Sequence, residues 1–218
     1  MRHSASQGRK RHSGSSAPRY LSIAPHRHIF SMRTTLPGST HIGDEAMRAV
    51  LPGLLLAVCT LLLGFGQGVI FGLNEEAITS RLAASAASAP AAIYHGDAAK
   101  ITAVLAKSWN YMQRSHLHAG ALGTSAIALT IVVLLIKTRS SLARLISLGL
   151  GAGGLGYSIF WVWAGARAPA LGSTGAAKES LAWLAIPSSG LVVASTVAVA
   201  VLLTLSIVRR ASMPPGNS

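Results

Sequence analysis

Four long stretches of the chain contain no Asp, Glu, Lys, Arg or His: residues 49–74, 119–136, 145–166 and 180–208. Inside the first, Gln67 is the sole amide before the closing Asn74. Each reaches or nearly reaches the roughly 20 apolar residues that a helix needs to cross a hydrocarbon core of about 30 Å. Lipid offers no hydrogen-bond partner, so every backbone N–H and C=O must be paired within the segment, and the pattern predicts helices. The spans are placed at about 49–74, 117–136, 145–166 and 180–208. Any one run could be the core helix of a water-soluble protein, but four in 218 residues leave too little chain to cover them with a polar shell. The predicted fold class is all-α, an integral membrane four-helix bundle with a partly helical segment between spans one and two.

Composition agrees with this pattern: half of the residues are hydrophobic and 11% are charged, which is not the balance of a soluble domain. A signal peptide is the rival account of the first run, because "RLAASAASAPAA" has small residues at cleavage-like spacing. A signal's apolar core is typically 7 to 15 residues, shorter than this one, and it lies nearer the N-terminus. Cys59 is the one cysteine and lies inside the first span, so no intrachain disulfide forms.

The net charge of +13 raises the question of a nucleic-acid partner. Residues 1–33 hold seven Lys/Arg and four His among Ser and Gly, a composition that stays solvated and disordered. They lack aromatic interleaving and any nucleic-acid module, so no nucleic acid is expected. Anionic lipid headgroups satisfy the same charges beside the bilayer. Met32 and Met47 both precede the first span and are alternative starts, so the domain division is a basic tail over 1–48, the membrane domain over 49–208 and a short tail over 209–218. Lys and Arg also set orientation. Eight fall in the first 48 residues, three in the link 137–144, and Arg209 and Arg210 follow the last span. Against these, residues 75–115 carry four with three acids. Both termini and the 137–144 link are therefore expected in the cytoplasm, with the lipid bilayer of the inner (plasma) membrane as the main partner.

Small residues predict how the spans pack. Gly64, Gly68 and Gly72 recur every four residues and form one stripe that admits a close neighbour; Gly149, Gly153 and Gly156 form another, and Gly120 and Gly123 mark the second span. "GAGGLG" over 151–156 spells the dinucleotide-binding pattern GxGxxG, but that pattern works only between a strand and a soluble helix, so these glycines read as packing surface. Pro187 and Gly190 predict a kink. Between spans one and two, "AASAASAPAAIYHGDAAK" reads as a loop broken by Pro90 and Gly96, after which Asp97 caps a new helix. Trp109, Tyr111, Tyr157, Trp161, Trp163 and Trp183 read as an aromatic belt on one membrane face.

The chemistry gathers at "WNYMQRSHLH". His116 and His118 differ by about 200° on a helix, so one is expected inside the bundle. His116 shares its side with Gly120, Gly123 and Thr130 and is assigned there; His118 is assigned to the interface or to a neighbouring chain, which makes a second copy or another membrane subunit an expected partner. "FGLNEE" closes the first span with Glu75 and Glu76, and a continued helix puts Glu75 near the Gly64 direction. Glu75 and His116 are thus expected to meet at the outer mouth, with Glu76, Glu179 and His118 as further candidate ligands and Asn74, Trp109, Tyr111 and Arg114 in support. A divalent transition metal suits carboxylate and imidazole. Haem b, with one histidine as axial ligand, is the second option; a bis-histidine haem would need a dimer, because no other span has a histidine. The third reading is a packing network of His116, Glu75 and Arg114 that fixes helix register, in a structural or partner-binding protein. Transport of an ion or small solute is the fourth, although mid-span polarity is limited to Gln67, Ser and Thr. No activated nucleophile or phosphate loop argues for an enzyme.

The pairing of "FGLNEE" with "WNYMQRSHLH" resembles uncharacterised four-span bacterial inner-membrane proteins that share an FGxNE element and a W-x-Y-x-x-R-x-H-x-H element. The matching positions are Asn74 and Glu75, then Trp109, Tyr111, Arg114, His116 and His118. The resemblance covers residues 50–208 and implies no activity.

Overall fold

The computed structural model describes residues 39–212; most of the basic tail, residues 1–38, and the last six residues lie outside the described part. Helix is the sole regular structure among the described residues: α1 (Ser39–Ala87), α2 (Ala91–Tyr94), α3 (Ala98–Leu135), α4 (Ser140–Leu171), α5 (Thr174–Glu179) and α6 (Ala182–Ala211). α1, α3, α4 and α6 are long and apolar enough to cross a membrane. The all-α four-helix bundle expected from the hydropathy pattern is the fold observed.

Its arrangement is three plus one. α1, α3 and α4 pack mutually, whereas α6 leans mainly on α4 and touches α3 only slightly. α1 and α3 are antiparallel, since Gly64 meets Ala119 and Gly120 while Gly123 meets Leu61. α1 and α4 are parallel, with Gly53 against Ser147 and Gly154 near Thr60.

Glycine decides which helix is central. α4 carries five between residues 149 and 156, and they look in two directions. A Cβ on Gly149, Gly153 or Gly156 would run into Ser195, Val192 or Ser188 of α6, and one on Gly151 into the Gly53 carbonyl of α1. Bare backbone on two sides lets two layers approach at once, so α4 is the most enclosed span and α6 the least. The GxGxxG letters thus lie inside an uninterrupted helix as contact surface.

Beyond their apolar runs α1 and α3 continue as helix on the side where they are joined. α1 extends through Ala87, so the stretch 83–87 read as loop is helical: small side chains do not break a helix, alanine being its best former, and the break waits for Pro90. Pro90 caps the single turn of α2, His95 and Gly96 take left-handed backbone, and Asp97 accepts the Lys100 N–H at 2.9 Å to start α3. Tyr94, Ala86, Val104, Ala168 and Ala177 form a small core there, and the Tyr94 hydroxyl donates to the Pro169 carbonyl at 2.6 Å. α6 runs as one helix through Pro187, which falls in its second turn, and the Ser189 hydroxyl donates to the Ala185 carbonyl there at 2.8 Å.

Candidate functional site

The α3 side chains that carry the histidine motif surround a buried stripe made of Ser108, Tyr111, Ser115, Ala119 and Gly123. Ser115 is fully buried where the three helices meet. Its hydroxyl lies 2.7 Å from the Ser158 carbonyl of α4 and 3.0 Å from Gln67 Oε1 of α1. One hydroxyl has one proton, so the consistent assignment gives it to the Ser158 carbonyl and turns the Gln67 amide so that its NH₂ donates to Ser115 Oγ. The Ser158 hydroxyl donates in turn to the Gly154 carbonyl at 2.8 Å. Gln67, Ser115 and Ser158 are thus a polar cross-tie joining three spans, and neither serine stood out in the sequence. The signal was there in spacing alone: Ser108 and Ser115 are seven residues apart, in phase with the small positions Ala119 and Gly123.

His116 stands on the α1 side of this stripe. Its Nδ1 is 2.7 Å from the Gly64 carbonyl, and the ring lies over Gly68, where a Cβ would come within 2.7 Å of Cε1. A carbonyl only accepts, so Nδ1 carries the proton, and in the neutral ring Nε2 keeps its lone pair. His118 stands on the α4 side. Its Nδ1 meets the Arg114 carbonyl at 2.7 Å, and the ring packs edge-on against Tyr157 at 5.3 Å and beside Trp161 at 5.9 Å. α3 is helical throughout this stretch, so the two imidazoles diverge and do not converge on one ion.

Trp161 is the hub of the aromatic cluster. Tyr111 meets it edge-on at 4.9 Å, Phe160 at 5.1 Å, and the Arg114 guanidinium lies 5.2 Å from its ring. Its buried indole N–H has no partner, which costs about 1–3 kcal/mol for a neutral donor. On the opposite flank Trp109 packs edge-on against Phe71 at 5.4 Å, so the two sequence elements singled out above do touch, through their aromatic members. Trp163 pairs with Trp183 at 6.3 Å.

The carboxylates are elsewhere. Glu75, Glu76 and Glu179 are exposed, and the structure does not bring Glu75 to His116. Two causes act together. The antiparallel register seats the ring opposite Gly64 and Gly68, and seven residues of helix place Glu75 about 10 Å further along the axis. Asn74 also leaves helical geometry (φ −131°, ψ 23°), which breaks the phase on which the Glu75 direction was reckoned; its side-chain NH₂ donates to the Ile70 carbonyl at 3.1 Å. Arg114 faces the aromatics and not a carboxylate. Among the described residues no three of His, Cys, Asp and Glu are grouped to hold a metal ion. A cavity of about 180 Å³ lies between α3, α4 and α6, lined by Leu122, Tyr157, Ser189, Val192 and Val193; neither histidine lines it.

The glycine stripe of α1 divides in the same place. Gly64 and Gly68 receive the α3 backbone and the His116 ring, whereas a Cβ on Gly72 would meet nothing. On α3, Gly123 is pressed against Leu61, and Gly120 lends its backbone to the Gly64 contact while its own Cβ position is open. Compared with known proteins, the chain matches no family model, no curated protein and no solved structure.

Proposed function

We propose that this is a multi-pass protein of the plasma membrane, with both termini and the α3–α4 link in the cytoplasm, and that its histidine and aromatic cluster serves architecture: it fixes the register of α1, α3 and α4 in a structural or partner-binding membrane protein. The observation that carries this reading is the seating of His116 on Gly68 with its proton on the Gly64 carbonyl, backed by the Gln67–Ser115–Ser158 tie at the same depth. In lipid such interhelical hydrogen bonds are worth about 0.6–2 kcal/mol each. The excess of Lys and Arg in 1–48, 137–144 and after α6 supports the orientation, and the FGxNE and WxYxxRxHxH resemblance supports the inner membrane. Reporter fusions at the C-terminus and at Pro90 test the orientation; an outward C-terminus refutes it. His116→Ala should lower thermal stability in detergent more than His118→Ala, because only His116 reaches across to another backbone. Equal losses would remove the architectural role.

A second reading rests on a separate observation. Both rings spend Nδ1 on a backbone carbonyl and leave Nε2 free, the orientation in which imidazole binds a metal or haem iron. A single chain supplies one such nitrogen per direction, so this reading requires a second copy or another subunit to complete the ligand set. Elemental analysis and an optical spectrum of the purified protein decide it: stoichiometric metal or a Soret band that is lost in His116→Ala or His118→Ala favours ligation over architecture.

A further inference from the structure

We infer that the α3–α4 link and the end of α6 form a binding site for the headgroup of an anionic phospholipid. A cavity of about 420 Å³ lies there, and four cations line it: Lys137 and Arg139 from the link, Arg209 and Arg210 from the last turn of α6. Its apolar wall is Leu142 and Leu202, so the cavity is cationic at the membrane end and greasy toward the bundle, the amphipathy of a phospholipid where headgroup joins acyl chain. Among the described residues, none of those lining it is acidic. Thr138 and Ser206 add hydroxyls for phosphate oxygens.

Basic residues are expected near helix C-termini and beside cytoplasmic membrane faces, and that alone would make no site. Two features go further. The four cations come from two elements 70 residues apart in sequence and converge on one cavity, where they repel one another unless an anion sits between them. Lys137 also takes left-handed backbone (φ 53°), the position after a helix where glycine is usual. Its N–H donates to the Leu134 carbonyl at 3.0 Å, closing the turn. A lysine there accepts backbone strain, and its charge is what glycine would not supply. A second cavity at the start of α4, lined by Arg48 and Arg144, also contains Glu45, which offsets one of the two charges.

Native mass spectrometry of the full chain in detergent, with equimolar phosphatidylglycerol and phosphatidylcholine, tests the site. Wild type should retain phosphatidylglycerol in preference. Lys137→Gly, Arg139→Gln and Arg209→Gln should each reduce that preference about fivefold, the equivalent of one cation at a membrane surface. Lys137→Gly should do so while raising the melting temperature, because it relieves the left-handed strain; loss of preference then cannot be loss of fold. Substituting Arg9, Lys10 and Arg11 in the basic tail by Gln should leave the preference unchanged. Wild-type preference in all three cavity variants, or a loss confined to the tail variant, overturns the proposal. So does displacement of phosphatidylglycerol by millimolar inorganic phosphate, which would make this a site for the free anion.

Discussion

Gly64, Gly68 and Gly72 look equivalent as a stripe, and adding one methyl group to each should separate them. At Gly64 the new Cβ would lie 2.7 Å from the Gly120 nitrogen and 3.1 Å from the Ala119 carbonyl carbon. Backbone cannot rotate aside, so α1 and α3 must move apart, and overpacking of this kind costs about 1–3 kcal/mol. At Gly68 the obstacle is the His116 ring, 2.7 Å away at Cε1. The ring can swing, but only by giving up its 2.7 Å bond to the Gly64 carbonyl, a loss of about 1 kcal/mol. At Gly72 nothing lies within reach, and alanine gains roughly 0.5–1 kcal/mol of helix propensity. In melting temperature, at about 2–4 °C per kcal/mol for a chain of this size, Gly64→Ala should fall by roughly 2–12 °C and Gly72→Ala should hold or rise. Thermal unfolding in one detergent, followed by circular dichroism or by tryptophan fluorescence, measures the series. His116→Ala should cost less in the Gly68→Ala background than alone, because the first change already breaks the same contact. If Gly72→Ala is as harmful as Gly64→Ala, the α1–α3 register described above is wrong.

The remaining predictions concern the polar groups. Ser115→Ala should destabilise by about 1–3 kcal/mol, since it strands a buried glutamine amide, and the double change with Gln67→Leu should recover most of that; no recovery in unfolding scans would contradict the three-helix tie. Tyr94→Phe should cost about 1 kcal/mol by removing the hydroxyl bond to the Pro169 carbonyl, which keeps only the longer 3.3 Å bond from the Gly172 N–H, and an unchanged melting temperature would remove that contact from the account. Burial pushes the Tyr94 phenol above its ordinary value, so its contribution should be intact below about pH 10 and fall as pH rises through the raised value; wild type and Tyr94→Phe should therefore converge in stability only in strong alkali.

Membrane spans were legible because lipid enforces them locally. An uncharged run of that length has one way to satisfy its backbone, and neither a partner helix nor a tertiary contact enters the reasoning, so the apolar runs and the helix class follow from the sequence order alone. Asp97 as a cap is equally local, because the carboxylate reaches an N–H three residues on. The inward assignment of His116 used only helical phase and agrees with its seat against α1. What needed the tertiary structure was register, the sliding of one helix along another. Hydropathy is nearly uniform along a span, so it is blind to a shift of two turns, and such a shift separates Glu75 from His116 and brings Ser115 to Gln67 and Ser158. The break at Asn74 was hidden as well, because a non-helical φ at one residue turns every later side chain while leaving the composition unchanged. The choice of α4 as the central span came from glycines facing two ways at once, and which neighbour each would meet is decided only when the helices are in contact.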